Sequence, residues 1–282
     1  MSTAREGDGA DGPERLATPA IRAAMGDAAG RLAGLELVAV TGSTNQDLLD
    51  RAPAAVHRVA RLAERQTGGR GRRGRRWFSP FARNLYLSLG WRFERGSDAL
   101  GHLPLVTAVA VARAVTAIGY RDHGIKWPND IVTPEGKLGG CLVEARNGPD
   151  GSRAAVLGVG LNVRLAGAEG VEAIDQPWTD LATRLPQVSR NAAAGAVLAA
   201  LVAAVETFEA EGFAPFEADW ARYDVLTGRT VTVSGEGVIA KGRCLGLGPR
   251  GGLRVERNGV TTEHLAGDVS ARPGVIIDAP AP

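Results

Sequence analysis

The 282-residue chain carries two cysteines, Cys141 and Cys244, far apart and in no CxxC or Cys/His spacing. That excludes a disulfide framework and a thiolate metal site, and it suits a reducing cytosol. The four histidines, His57, His102, His123 and His264, share no ligand spacing, so no zinc is expected. No Ser, Cys or His lies in a recognisable nucleophile motif, which argues against a covalent enzyme intermediate. No GxxxxGK[ST] occurs, so a nucleotide would have to be held without that cradle. No run reads as long and apolar enough to cross a bilayer, and the Met1 end has Glu6, Asp8 and Asp11 where an export signal has basic residues and an apolar stretch. The expectation is a cytoplasmic protein with no membrane partner. An excess of one charge is missing too. The 33 basic and 31 acidic residues give a net charge of +2, so any electrostatic partner must be met locally.

Forty-four per cent hydrophobic and 23% charged residues are enough for one large and one small domain. Residues 1–33 are rich in Gly, Ala, Asp and Arg and read as a flexible tail, at most a short helix over 21–32. Residues 34–223 mix strands and helices. Strands are expected at 35–40, 59–63, 84–91, 125–127, 138–145 and 155–163, with 84–91 alternating as a half-buried strand does. Helices are expected from Ser43-Thr44, over 103–118 up to Gly119, and over 191–211 up to Gly212. Residues 224–282 change texture to short Val/Thr strands, with Asn258-Gly259 as a hairpin signal; that is a small β-barrel.

The densest signal is Gly69-Arg70-Gly71-Arg72-Arg73-Gly74-Arg75-Arg76-Trp77, on a loop between two strands, with five arginines in seven positions. Glycines let the backbone approach a ligand, and guanidinium forks bind carboxylate or phosphate oxygens in pairs. By itself the segment suits an anionic small molecule and a nucleic-acid contact equally. Its isolation in a near-neutral chain favours the small molecule, because one short cluster offers few phosphate contacts.

Other polar groups flank it. Ser43, Thr44 and Asn45 open a helix, where hydroxyls cap free amides and also face whatever binds there. Gln66 precedes the arginine loop. Lys126-Trp127-Pro128-Asn129-Asp130 and Lys137-Leu138-Gly139-Gly140 straddle a turn, so the two lysines can converge; each by itself would read as a solvated cation. In Gly158-Val159-Gly160-Leu161-Asn162 the glycines suggest close packing, against a ligand or within the sheet. Trp77 and Trp178 could stack on a flat ring or belong to core or rim.

Together and in this order, these segments closely resemble bacterial biotin protein ligases of the BirA type, from residue 35 to the C-terminus. The pair GRGRRGRxW and KWPND is more specific than any single glycine motif. The resemblance implies an α+β fold: a central mixed β-sheet with flanking helices, like class II aminoacyl-tRNA synthetases, and a C-terminal SH3-like barrel. It implies ATP and biotin as substrates with Mg²⁺, formation of biotinyl-5′-AMP, and transfer to a lysine of the biotin carboxyl carrier domain of an acyl-CoA carboxylase. Ser43, Thr44, Asn45, Gln66, Gly69, Arg70, Gly71, Arg72, Lys137 and Gly140 would line the biotin pocket, with Arg72 and Lys137 catalytic. Arg75, Trp77, Lys126, Asn129, Asn162 and Trp178 would serve the nucleotide, and Asp130 the metal. A lipoate ligase of the same fold would share the charge logic; the GRGRRGRxW string argues for biotin. Repressor-type members carry an N-terminal winged helix-turn-helix, whereas this chain has a short polar tail there. A monomer or weak homodimer without nucleic-acid binding or repressor activity is the expectation.

Overall fold

Alternation within the central strands decides what each face of the sheet becomes. In the computed structural model, which describes residues 13–94, 98–235 and 238–271, Leu85, Leu87, Leu89, Trp91 and Phe93 of one strand all enter the main core. Ala155, Leu157, Val159 and Leu161 do the same from its neighbour. The intervening positions include the small or polar Ser88 and Gly90 in one and Gly158 and Gly160 in the other, which belong to the second face. That second face carries the site.

The sheet contains β1 (Gly34–Thr41), β2 (Val59–Gln66), β3 (Leu85–Phe93), β4 (Gly124–Lys126), β5 (Asp130–Thr133), β6 (Gly136–Asn147) and β7 (Arg153–Leu161). Their order is β1-β2-β3-β7-β6-β5-β4; β1 and β2 are parallel and the other pairs antiparallel. Three helices, α1 (Thr18–Met25), α3 (Leu103–Ala117) and α4 (Arg190–Glu211), pack together against the apolar face. On the other face α2 (Thr44–Leu49), the crossover between β1 and β2, covers β2, β3 and β7 with a small satellite core of Leu48, Val56, Val59, Ala154 and Val156. With helices on both sides, β3 is buried on both faces rather than half-buried as its alternation suggested.

Helix ends follow the sequence signals. Ser189 caps α4 by accepting from the Ala192 amide at 3.2 Å, and Gly212, at φ +72°, ends it. The alanine-rich stretch of α4 allows α1 to approach closely: a β-carbon on Gly195 would lie 2.5 Å from that of Ala24. By length and apolarity alone, residues Leu100–Ala117 and Arg190–Glu211 would each pass as a membrane span, contrary to the sequence reading. Both are mostly buried against the sheet and each other, as core helices are.

The segment expected to be a tail is different in kind over its described part. Leu16, Ile21, Met25 and Leu32 belong to the main core. Glu14 accepts from the Arg190 and Asn191 amides at the start of α4, and Glu64 accepts from the Leu16 amide at 2.7 Å while pairing with the fully buried Arg190 at 2.8 Å. A buried guanidinium needs such partners. Residues 1–12 of that expectation lie outside the described residues.

After α5 (Glu217–Tyr223) come β8 (Thr230–Gly235), β9 (Val238–Leu247), β10 (Leu253–Arg257), β11 (Val260–His264) and β12 (Asp268–Ala271). They form an antiparallel sheet in the order β11-β10-β9-β8-β12, compatible with an SH3-like barrel. Asn258 and Gly259, both at positive φ, turn β10 into β11 as their sequence predicts. The barrel is seated on the larger domain: Trp127 Nε1 donates to the Gly251 carbonyl at 3.0 Å.

Candidate functional site

Over the second face of the sheet opens a cleft of about 730 Å³, the size of a cofactor pocket. Small residues form its floor because larger ones would not fit. A β-carbon on Gly158 would lie 2.3 Å from Asn45 Oδ1, and one on Gly160 2.4 Å from the Trp77 indole.

One end of the cleft is a neutral hydrogen-bonding network. Ser43 Oγ accepts from the Gln46 amide at 3.5 Å and caps α2, which sets Thr44 and Asn45 against the sheet. The Thr44 amide and hydroxyl both donate to Gln66 Oε1, at 2.9 and 3.1 Å, and Gln66 Nε2 donates to Ser79 Oγ at 3.4 Å. Below them Ser88 Oγ lies 2.8 Å from Thr44 Oγ1 and 2.6 Å from Asn45 Oδ1. Asn45 Nδ2 donates to Glu144 at 2.8 Å, and Arg70 reaches the same carboxylate at 3.2 Å.

The other end is cationic. Arg72, Arg75, Arg76, Lys126 and Lys137 line it, against the carboxylates of Asp130, Asp175 and Asp268. The arginine loop closes like a hairpin: the Trp77 amide donates to the Gly69 carbonyl at 2.9 Å, and the Gly71 amide to that of Arg75 at 2.7 Å. Arg73 takes φ +57°, so the arginines divide. Arg73 and Arg75 pair with Asp268 of the barrel, while Arg72 lines the cleft with no ion pair among the described residues. Burial, and then the charge of Arg73, lowers the pKa of the Arg72 guanidinium. Lys137 Nζ is 2.7 Å from Asp130 Oδ1 and 5.5 Å from the centre of the Trp77 ring.

Most residues singled out by sequence meet here. Ser43, Thr44, Asn45, Gln66, Arg70, Gly71, Arg72, Arg75 and Trp77 line the cleft, as do Lys126, Asn129, Asp130, Lys137 and Gly140. Asn129 is fixed by donating to the Cys141 carbonyl at 2.6 Å. Three do not line it. Gly69 forms the neck of the loop, where a β-carbon would strike the Trp77 carbonyl at 2.8 Å. Asn162 spends its amide on the Thr179 and Lys137 carbonyls, at 3.0 and 3.3 Å. Trp178 pairs its backbone with Lys137 in an isolated bridge, and its neighbours Asp175 and Gln176 are the ones that reach the cleft. Asn162 and the Trp178 segment thus position Lys137. Asp130, expected beside a metal, is engaged by Lys137, and the described residues hold no cluster of three His, Cys, Asp or Glu to cage one.

Sequence reasoning missed Ser88, Glu144 and Asp268. Ser88 left a signal, a hydroxyl in the middle of an apolar strand and opposite Gly158 in the ladder.

Residues 37–162 match the biotin/lipoate A/B protein ligase family. Over 234 residues the chain is 37% identical to the bifunctional ligase/repressor BirA of Escherichia coli, a match that covers 83% of this chain and 72% of that protein. It is 35% identical over 244 residues to the biotin–[acetyl-CoA-carboxylase] ligase of Mycobacterium tuberculosis, covering 83% and 88%. Among solved structures, a biotin protein ligase from Aquifex aeolicus in complex with biotin and ATP superposes with a TM-score of 0.73 at 28% identity, covering 86% of this chain and 99% of that one.

Proposed function

The chain belongs to the biotin/lipoate A/B protein ligase family and, within it, to the biotin protein ligases, and on that premise we propose how its cleft divides the work. The neutral end, from Thr44 to Gln66 with Arg70 at its edge, takes the uncharged ring system of biotin. The cationic end takes biotin's carboxylate and the phosphates of ATP. A carboxylate oxygen attacks the α-phosphorus, pyrophosphate leaves, and biotinyl-5′-AMP forms. The amine of an acceptor lysine then attacks the acyl carbon and AMP leaves.

The observation that carries this reading is the single cleft with one neutral and one cationic end, and Arg72 inside it without a carboxylate partner. Both reactants are anions, so the main task is to bring like charges together and stabilise the crowded phosphorus centre. Arg72 and Lys137 are assigned that role. Each well-placed cation contributes roughly 3 kcal/mol in the transition state, about a hundredfold in rate. Lys137 is held for it by Asp130, and its backbone by the Pro177 and Thr179 segment. Trp77, over Gly160, serves the nucleotide side. Mg²⁺ is assigned to the substrate and enters as Mg-ATP.

The nucleic-acid reading of the arginine loop loses support from the same geometry. Four of its arginines, Arg70, Arg72, Arg75 and Arg76, line a concavity, and Arg70, Arg73 and Arg75 are occupied by carboxylates. The acceptor is assigned as the biotin carboxyl carrier domain of an acyl-CoA carboxylase, and the two buried free cysteines suit the reducing cytoplasm where such an enzyme works. Incubation with biotin, Mg-ATP and a carrier domain should add the mass of one biotinyl group, and none when the acceptor lysine is replaced by arginine. Adenylate formation with no modified carrier would move the acceptor to another protein.

A further inference from the structure

Asp268 stands at the start of the last described strand of the barrel, yet it lines the cleft of the catalytic domain. Its Oδ2 accepts from Arg75 Nη2 at 2.5 Å and from Arg73 Nη1 at 3.5 Å, and Arg73 also donates to the Ser234 carbonyl at 3.2 Å. Among the described residues, Asp268 is the one carboxylate that pairs with the arginines of the loop tip, residues 72–76. Its reach depends on a backbone feature. At φ +57° Arg73 lies in the left-handed region, which an arginine rarely enters unless its surroundings hold it there. The kink turns Arg73 toward the barrel and leaves Arg72 in the cleft.

We propose that Asp268 is a positioning residue for the adenylate-forming step: by holding Arg73 and Arg75 it fixes the arginine loop over the cationic end of the cleft, so that Arg72 meets the phosphates already in place. The proposal rests on the reading of the cleft as the biotin and ATP site. It gives the barrel a part in catalysis without a residue at the reacting atoms. Both ion pairs are partly exposed, so they act as a clasp of modest strength rather than a rigid strut. The neutral end of the cleft is held independently by Gln66, Ser88 and Glu144 and does not depend on the clasp.

The test is steady-state ATP–pyrophosphate exchange by the full chain, with ATP and biotin varied separately, for wild type, D268N, D268E, R73A and R73A/D268N. D268N should raise the KM for ATP about fivefold, a size set by two partly exposed ion pairs, and should release bound biotinyl-5′-AMP faster by a similar factor. The KM for biotin and the thermal midpoint should stay within error, D268E should recover most of the loss, and the double variant should be no worse than D268N. An unchanged ATP KM in D268N overturns the proposal. So does a parallel rise in both KM values with a lowered midpoint, which would mean that the barrel had merely come loose. If wild type itself shows no biotin-dependent exchange, the reading of the cleft fails first, an outcome distinct from either.

Discussion

Gly160 lies so close to the indole of Trp77 that a β-carbon there would sit 2.4 Å from the ring. The glycine on β7 therefore sets how deep the tryptophan of the arginine loop can sink. G160A should push the ring off the cleft floor. Overpacking of this kind costs about 1–3 kcal/mol, so the KM for ATP should rise about tenfold while biotin affinity changes little. Kinetics with ATP varied at saturating biotin checks this; an unaltered KM would show that Trp77 has no part in nucleotide binding.

Ser88 is buried at the centre of β3 and joins Thr44 to Asn45. Replacing it with alanine removes both contacts and leaves polar atoms under the biotin end short of a partner, a loss of about 1–3 kcal/mol. S88A should weaken biotin binding about tenfold by calorimetry and leave the KM for ATP unchanged. Equal losses for both substrates would place the network in general stability instead.

Arg72 lines the cleft with no ion pair among the described residues, as Arg76 also does. R72G should lower the rate of adenylate formation and also let the finished adenylate escape, which a filter assay of bound radiolabelled intermediate measures. If the variant retains the intermediate as wild type does, the assigned role is wrong. The second step calls for exclusion of water from the mixed anhydride, so amide exchange in residues 69–76 should slow when biotin and ATP are added.

His123, which does not line the cleft, gives the fold a pH dependence of its own. It is buried, its Nε2 faces the Ala112 carbonyl at 3.0 Å, and its Nδ1 has no partner. Burial lowers its pKa below the ordinary 6.5. Between the two values the unfolded chain binds the proton and the folded one does not, so stability falls as pH drops below about 6.5 and is level above it. Urea unfolding at pH 5.5 and 7.5 should show this difference, and H123N should reduce it. An identical slope in the variant would assign the acid sensitivity to other groups.

The strongly periodic elements were legible from sequence because their signals are local. Leucines at every second position of β3, the long apolar runs of α3 and α4, and the Asn258-Gly259 turn need no distant partner to be recognised. So was most of the site, since the arginine loop, the KWPND hairpin and the Gly-Gly pair each sit in short motifs. What escaped depends on tertiary contact. The first helix is short, with only Ile21 and Met25 as large apolar residues, and its close packing on Gly195 of α4 cannot be read from its own sequence. Asp268 reaches Arg73 across 195 positions of chain, with no local pattern to announce it. Asn162 and Trp178 are assigned to the nucleotide by the family resemblance; that the Asn162 amide and the Trp178 backbone also contact Lys137 is a tertiary feature with no local signal.

The central claim is that one cleft activates biotin with ATP. Isotope exchange between pyrophosphate and ATP, with purified protein and Mg²⁺ and with biotin or lipoate as the added acid, tests it most directly. Exchange that requires biotin and is absent with lipoate is the predicted result; exchange driven by lipoate, or by neither acid, would contradict it.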